Sequence, residues 1–326
     1  MGFVNKGSVR VILGTGGTIA GRAADAADNV GYVAGEVGVG DLVRAVPPLQ
    51  GLTLEWEQVA QVDSKDMGLA VWKPLAERLA HHLAREDVQG VVITHGTDTL
   101  EETALFLQTV LAPRKPVVLT CAMRPATALV PDGPQNLLDA VVVAGCRELS
   151  GVVAVTSGSI HSAAYVSKVH SYRVEAFDSG DAGPMGAVEE GEIRWFQPLP
   201  LHSGAPAAAR LDAVLAARAL PGVALVTSHA DADGRVVRGL LALNGLEHAA
   251  TTQGIVVACT GNGTLHAELV NALEQAQASG IKVVRATRCA RGRVVPHMGD
   301  RFDDSAGLSP VKARLALSLS LLPGWH

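Results

Sequence analysis

A chain of 326 residues is too long for one ordinary core and long enough for two domains of usual size. Hydrophobic residues make up 48% and charged residues 18%, a globular balance that excludes a disordered chain. The net charge of −5 supplies no basic field, which argues against nucleic acid or an anionic membrane as the main partner.

Aromatics are only 4%, so the core must be built from Val, Leu, Ile and Ala, as buried parallel strands alternating with helices require. No apolar run approaches the roughly 18 residues needed to span a bilayer. Met1 to Arg10 is too short and polar for a secretory signal, so a cytoplasmic location is expected. A periplasmic form already stripped of its signal would read the same way. Cys121, Cys146, Cys259 and Cys289 form no CxxC pair, and Cys121 and Cys259 lie in apolar runs that read as reduced and buried.

Short apolar runs alternate along the chain with amphipathic segments of helix length, the pattern of an α/β sheet. Val9 to Leu13 reads as a strand emptying into a glycine loop, and Leu52 to Val62 as a second strand. A helix over Asp66 to Arg85 follows. Gly90 to Thr94 is again strand-like and ends at His95-Gly96-Thr97-Asp98, where Thr99 and Glu102 have the spacing of a capping box for a helix through Val110. Pro116 to Thr120 is another strand, Pro134 opens a helix through Val143, and Gly151 to Thr156 is one more strand.

The texture changes from Ile193 to Ala209, where Pro198, Pro200 and Pro206 with Ser203-Gly204 suggest a linker, and Pro221 follows a short helix. The expected division is a larger N-terminal parallel-sheet domain (1–197), a linker (198–211) and a smaller C-terminal α/β domain (212–326). The second domain should carry strands near Val223–Val226, Ile255–Ala258 and Val283–Ala286, with helices near Leu265–Ala278 and from Pro310 through Leu321.

Ligands of open α/β sheets sit outside the carboxyl ends of the strands. Three polar turns fall there: Thr15–Thr18, Gly96–Thr99 and Ala122–Arg124. Phosphate readings of the first fail at defining positions, since a dinucleotide fingerprint needs Gly or Ala where Ile19 stands. A P-loop would need Lys then Ser or Thr where Arg22-Ala23 stands. The bland alternative is a tight structural turn. Thr97-Asp98 has a bland reading as a helix cap, but Thr99 already fills that need. Lys168 alone would read as a solvated lysine. His81 and His82 read as solvated helix residues, and His161, His170 and His297 lack metal-ligand spacing, so no metal is expected.

Taken together, Gly14-Thr15-Gly16-Gly17-Thr18-Ile19-Ala20-Gly21 and Ile93 through Thr103 resemble the two signature segments of bacterial-type L-asparaginases and glutaminase-asparaginases. Further matches follow in order: Tyr32 with Gly35 and Val37-Gly38-Val39, Asp63-Ser64-Lys65-Asp66-Met67, Ala122-Met123-Arg124-Pro125, Asp132-Gly133-Pro134, Lys168, Gly261-Asn262-Gly263 and Pro310-x-Lys312-Ala313-Arg314. The resemblance implies an amidohydrolase that releases ammonia from L-asparagine or a close analogue. It also implies a homotetramer of intimate dimers and no cofactor.

By that resemblance Thr18 is the first nucleophile, helped by Tyr32 on a flap, and Thr97, Asp98 and Lys168 form a second threonine-centred group. Ser64 and Asp98 would hold the substrate's α-carboxylate and α-amino groups, Ala122 would lie beside the amide, and Gly17, Lys65, Gly96 and Asn262 would complete the substrate site. A threonine hydroxyl is a weak nucleophile and needs a neighbouring proton acceptor. Burial of Lys168 would favour its neutral form and Asp98 its charged form, which leaves both states open.

Two positions depart from the family pattern. Lys65 stands where Gln or Glu usually meets the α-ammonium, so either Lys65 points away or the preferred substrate lacks a free α-amino group or carries an extra acid. Secreted high-affinity members bring a glutamate from the partner subunit, yet this chain has no Glu after Glu274; Asp300, Asp303 or Asp304 are the candidate stand-ins. Two competing functions are an ammonia-generating subunit of a tRNA-dependent amidotransferase and a non-catalytic amino-acid-binding module.

Overall fold

The computed structural model describes residues 8–199, 207–246 and 251–325. Contacts divide the chain into two units, Met1–Leu211 and Asp212–His326. The linker expected over 198–211 lies partly outside the described residues, at 200–206. Its last five positions form the first half of a helix, Ala207–Ala216.

The first unit is built on an eight-stranded sheet. Its strands are β1 (Val9–Gly16), β2 (Leu54–Val62), β3 (Val88–Thr94), β4 (Pro116–Thr120), β5 (Gly151–Thr156), β6 (Ser159–Ser162), β7 (Gly186–Glu189) and β8 (Glu192–Trp195), in the spatial order β8-β7-β6-β5-β4-β3-β1-β2. Strands β1 to β5 run parallel. The last three turn back antiparallel, so the parallel sheet expected from the sequence carries a mixed edge.

The buried β-branched runs explain the parallel core: Val11, Ile12 and Leu13 of β1 and Val91, Val92 and Ile93 of β3 have no exposed surface. Helices cover both faces. On one side α1 (Val39–Arg44) and α4 (Gly133–Ala144) join a cluster with Ile12, Val92 and Val118. On the other, α2 (Leu69–Ala84) and α3 (Leu100–Leu111) pack together, with the Trp72 and Phe106 rings stacked at 4.8 Å. His82 of α2 is not solvated as expected; it is buried and bonds the Glu57 carboxylate at 3.0 Å.

The Thr99 half of the capping box at α3 is not made as expected. Thr99 is the N-cap residue but makes no side-chain cap bond; its hydroxyl instead donates to the Ser64 carbonyl at 2.7 Å. A hydroxyl donates as readily as it accepts, and here a tertiary partner takes it. This bond ties the start of α3 to the turn after β2.

In the second unit four parallel strands, Gly222–Thr227, Thr252–Cys259, Lys282–Thr287 and Asp303–Asp304, lie side by side in chain order. Helices Arg235–Asn244 and Ala267–Ala278 bury Val237, Leu269 and Leu273 against one face of this sheet. Helix Pro310–Ser320 buries Ala313 and Leu317 against the other.

Candidate active site

Because β4, β3, β1 and β2 are adjacent and parallel, their carboxyl ends open along one edge, and each delivers a polar turn there. From β1 the chain passes Gly16 and Gly17, both at positive φ, into a single 3₁₀ turn over Thr18–Ala20. From β2 it enters a 3₁₀ turn at Ser64–Asp66, and from β3 it passes His95 and Gly96 to Thr97 and Asp98. After β4 comes Ala122.

The first and third turns meet backbone to backbone. A β-carbon on Gly17 would sit 2.3 Å from both the Cα and the N of Gly96, and one on Gly96 would sit 2.4 Å from the Ser64 Oγ. Only glycine fits at either place. The Gly17 N–H donates to the Val62 carbonyl at 2.9 Å, which pins the turn to the end of β2.

Two threonine hydroxyls are thereby buried near one another in the fold, and each has its own partner. Thr18 is 6% exposed, and its Oγ1 is hydrogen-bonded to the Tyr32 Oη at 2.6 Å. Tyr32 belongs to a two-residue ladder in which Tyr32–Val33 pairs with Arg22–Ala23. That ladder is anchored by the Ala23 N–H, which donates to the Thr127 Oγ1 at 2.8 Å.

Thr97 is likewise 6% exposed, and the Lys168 Nζ donates to its Oγ1 at 2.8 Å and to the Asp98 Oδ1 at 2.6 Å. The Thr97 hydroxyl also reaches the Asp98 Oδ1 at 3.5 Å, a long and weak contact for an O–H donor. The Asp98 N–H donates to the Ser64 Oγ at 3.2 Å, leaving the Ser64 O–H free to donate outward.

The surroundings fix these groups. Ala122 is buried and approaches Ile19 across Gly133, where a β-carbon would stand 2.9 Å from the Ile19 Cγ1 and 3.4 Å from the Ala122 Cβ. Asp132 holds the same turn by accepting from the N–H groups of Met123 and Arg124, each at 2.9 Å. Burial pushes the His95 imidazole down to about 4, so it is neutral near pH 7 and donates through Nδ1 to the Gly96 carbonyl at 2.7 Å. Burial also pushes the Cys121 thiol up, which removes it as a nucleophile.

Lys65 is drawn away from a lone-cation role. Its Nζ pairs with Asp63 and, at 3.6 Å, with Asp66, and its side chain is mostly exposed. The hydrogen bond to Asp63 holds the ammonium above its ordinary value, with the Asp66 charge adding to it.

Ten of the residues singled out in the sequence, Gly17, Thr18, Tyr32, Ser64, Lys65, Gly96, Thr97, Asp98, Ala122 and Lys168, thus belong to the first unit. Asn262 belongs to the second, on the turn after Thr252–Cys259, where it bonds the Val295 backbone through Oδ1 at 2.6 Å and through Nδ2 at 3.3 Å. Asp132 and Glu101 were passed over as site residues. Both lie inside the matched segments, but no local pattern marks their partners, eight and nine positions back for Asp132 and 66 and 67 positions on for Glu101.

A family model described as "Asparaginase, N-terminal" matches residues 10–201, and one described as "Glutaminase/Asparaginase C-terminal domain" matches residues 222–325. The chain is 38% identical to the L-asparaginase 2 of Escherichia coli over 320 residues, covering 95% of this chain and 88% of that one. It is 35% identical to the glutaminase-asparaginase of Pseudomonas fluorescens over 324 residues, covering 95% and 85%. Its fold is similar to a crystal structure titled "Probable Cytoplasmic L-asparaginase from Campylobacter jejuni", with a TM-score of 0.86, 38% identity, and coverage of 96% of this chain and 95% of that one.

Proposed function

Because this chain belongs to the asparaginase family, we propose that it hydrolyses the side-chain amide of L-asparagine or a close analogue to the acid and ammonia, with Thr18 as the nucleophile. The observation that carries the proposal is the pair of buried hydroxyls, Thr18 on Tyr32 and Thr97 on Lys168, at the carboxyl edge of adjacent parallel strands.

In this reading the Thr18 Oγ attacks the amide carbon, and its hydroxyl proton moves away through the hydrogen-bonded Tyr32 oxygen. The carbon–nitrogen bond breaks, the nitrogen takes up a proton and leaves as ammonia, and an ester to Thr18 remains. Water then splits that ester, returning the proton to Thr18 and releasing the acid. Lys168 donates to Thr97, whose own O–H is left to meet the leaving nitrogen or to orient the water. Stabilising the developing oxyanion would fall to donors of these turns other than the Gly17 N–H, which is held by Val62, and one such donor is typically worth about 10²–10³ in rate. Ser64 and Asp98 would take the substrate's α-carboxylate and α-ammonium, and Gly17, Gly96 and Ala122 would shape the amide end.

The same reading carries a homotetramer of intimate dimers and a cytoplasmic location. Helix Arg235–Asn244 and the residues after it leave Val236, Leu243 and Leu246 exposed, an apolar face that a subunit contact would cover. Light scattering at four times the chain mass is the expected result. For the chemistry, Thr18→Ala and Thr97→Ala should each lower ammonia release from asparagine by at least about 10³-fold. A variant of either that keeps near-full activity would remove that residue from the reaction.

A further inference from the structure

We propose that Glu101 is a positioning residue that fixes Lys168 against Thr97, an inference that rests on the reading of Lys168 as part of the reacting group. Glu101 stands in the first turn of α3, three positions after Asp98, and is only 8% exposed. Carboxylates are rarely this buried unless a cation pairs with them. Among the described residues the partners of Glu101 are instead hydrogen-bond donors of one short strand. The Ser167 hydroxyl lies 3.2 Å from Oε1 and 3.1 Å from Oε2, and the Lys168 backbone N–H donates to Oε1 at 3.2 Å.

Two carboxylates therefore grip the two ends of one lysine. Glu101 holds its backbone, and Asp98 holds its Nζ at 2.6 Å. The strand is short: Ser167–Lys168 pairs with Phe177–Asp178, the Val169 and His170 N–H groups add bonds to the Ala176 carbonyl, and Glu101 supplements this short ladder at Lys168 itself. A side chain as long as lysine has rotamer freedom to lose, and anchoring its root lets Nζ meet Thr97 at 2.8 Å without a wide search. If packing were the purpose, an apolar residue would serve that buried place better, because an uncompensated carboxylate there is costly.

The test uses the full chain and asparagine hydrolysis. Displacing a reacting group by about 1 Å typically costs on the order of 10²-fold. Glu101→Ala is therefore expected to lower kcat by about 10- to 100-fold with KM within about twofold. Glu101→Gln keeps an oxygen where Oε1 now accepts both N–H and O–H donors, and should retain at least roughly a third of kcat. Glu101→Asp, one methylene shorter, should resemble the alanine variant and serves if that variant does not fold.

The decisive comparison is made in a Lys168→Met background. A residue acting through Lys168 should add nothing further there, so Glu101→Ala should slow that variant less than about twofold. A purely structural role predicts the same factor in both backgrounds, and that result would overturn the inference. So would full activity of Glu101→Ala, or a glutamine variant as damaged as the alanine one. If Lys168→Met itself is fully active, the reading of the catalytic group fails as well. If Lys168→Met is inactive while Glu101→Ala is active, only the role of Glu101 fails.

Discussion

Gly17→Ala puts the backbone contact under the site to the sharpest test. Its β-carbon would lie 2.3 Å from two backbone atoms of Gly96, where carbon contacts normally settle near 3.5–4.0 Å. No rotamer relieves this, because both sides are main chain. The turns must therefore part by more than about 1 Å. Overpacking of this kind costs about 1–3 kcal/mol, and the backbone at φ +81° and ψ −174°, a region essentially reserved for glycine, adds about 1–3 kcal/mol for a residue with a β-carbon. Thr18 and Thr97 each follow one of these glycines directly, so the separation is passed to both hydroxyls. A shift of that size predicts a loss of about 10²-fold in kcat. The assay is ammonia release from asparagine beside a thermal melt, with Gly51→Ala as the control because a β-carbon there meets nothing within 4 Å. The alanine variant should melt several degrees lower and turn over slowly, while the control stays unchanged. An unchanged melt with more than half of the original kcat would refute the steric argument.

His95 predicts a specific acid sensitivity. Its folded-state value of about 4 lies below the ordinary 6.5, so the unfolded chain binds the extra proton between these limits and stability falls as pH drops from about 6.5 to about 4. At 1.36 kcal/mol per pH unit the full effect is roughly 3 kcal/mol. Urea unfolding of the wild type and of His95→Asn should therefore converge as pH falls; parallel losses would contradict a buried neutral imidazole. Lys65→Gln should leave KM for asparagine within about twofold, since Asp63 and Asp66 already balance that exposed charge. A tenfold fall in KM would instead mean that the ammonium repels the substrate.

The parts of the fold that read easily from sequence are those with one dominant cause. Pro116–Thr120 and Gly151–Thr156 are strands at the predicted residues because an apolar, β-branched run between Gly or Pro signals has few other stable uses. The returning strands β6 to β8 were not anticipated: they are only four residues each, and turns and polar positions break their alternation. Helix Arg235–Asn244 escaped for a related reason, carrying Gly239 in its interior. At the site, glycine loops and hydroxyls were visible, whereas the partners that set them were not. Thr99 looked like a cap and became a clasp on Ser64, and Glu101 reaches Ser167 across 66 positions, a pairing that no local pattern encodes.

The two departures from the family pattern have a common physical consequence. Lys65 is held by Asp63 and Asp66, while Asp300, a candidate stand-in for the absent glutamate, is engaged by Arg285 at 2.7 Å and by the His297 N–H at 2.8 Å. Asp304 accepts from the Ala306 N–H at 2.7 Å. In the proposed reaction Asp98 meets the substrate's ammonium, and its side chain is 54% exposed although Oδ1 already holds Lys168. One carboxylate cannot serve two cations independently: drawing it toward an α-ammonium weakens its hold on Nζ, and that hold places Lys168 against Thr97. Recognition of the amine and placement of the lysine are thus coupled through a single side chain. The grip of Glu101 on the root of Lys168 limits that coupling, because it keeps Nζ near Thr97 when Asp98 turns to the substrate.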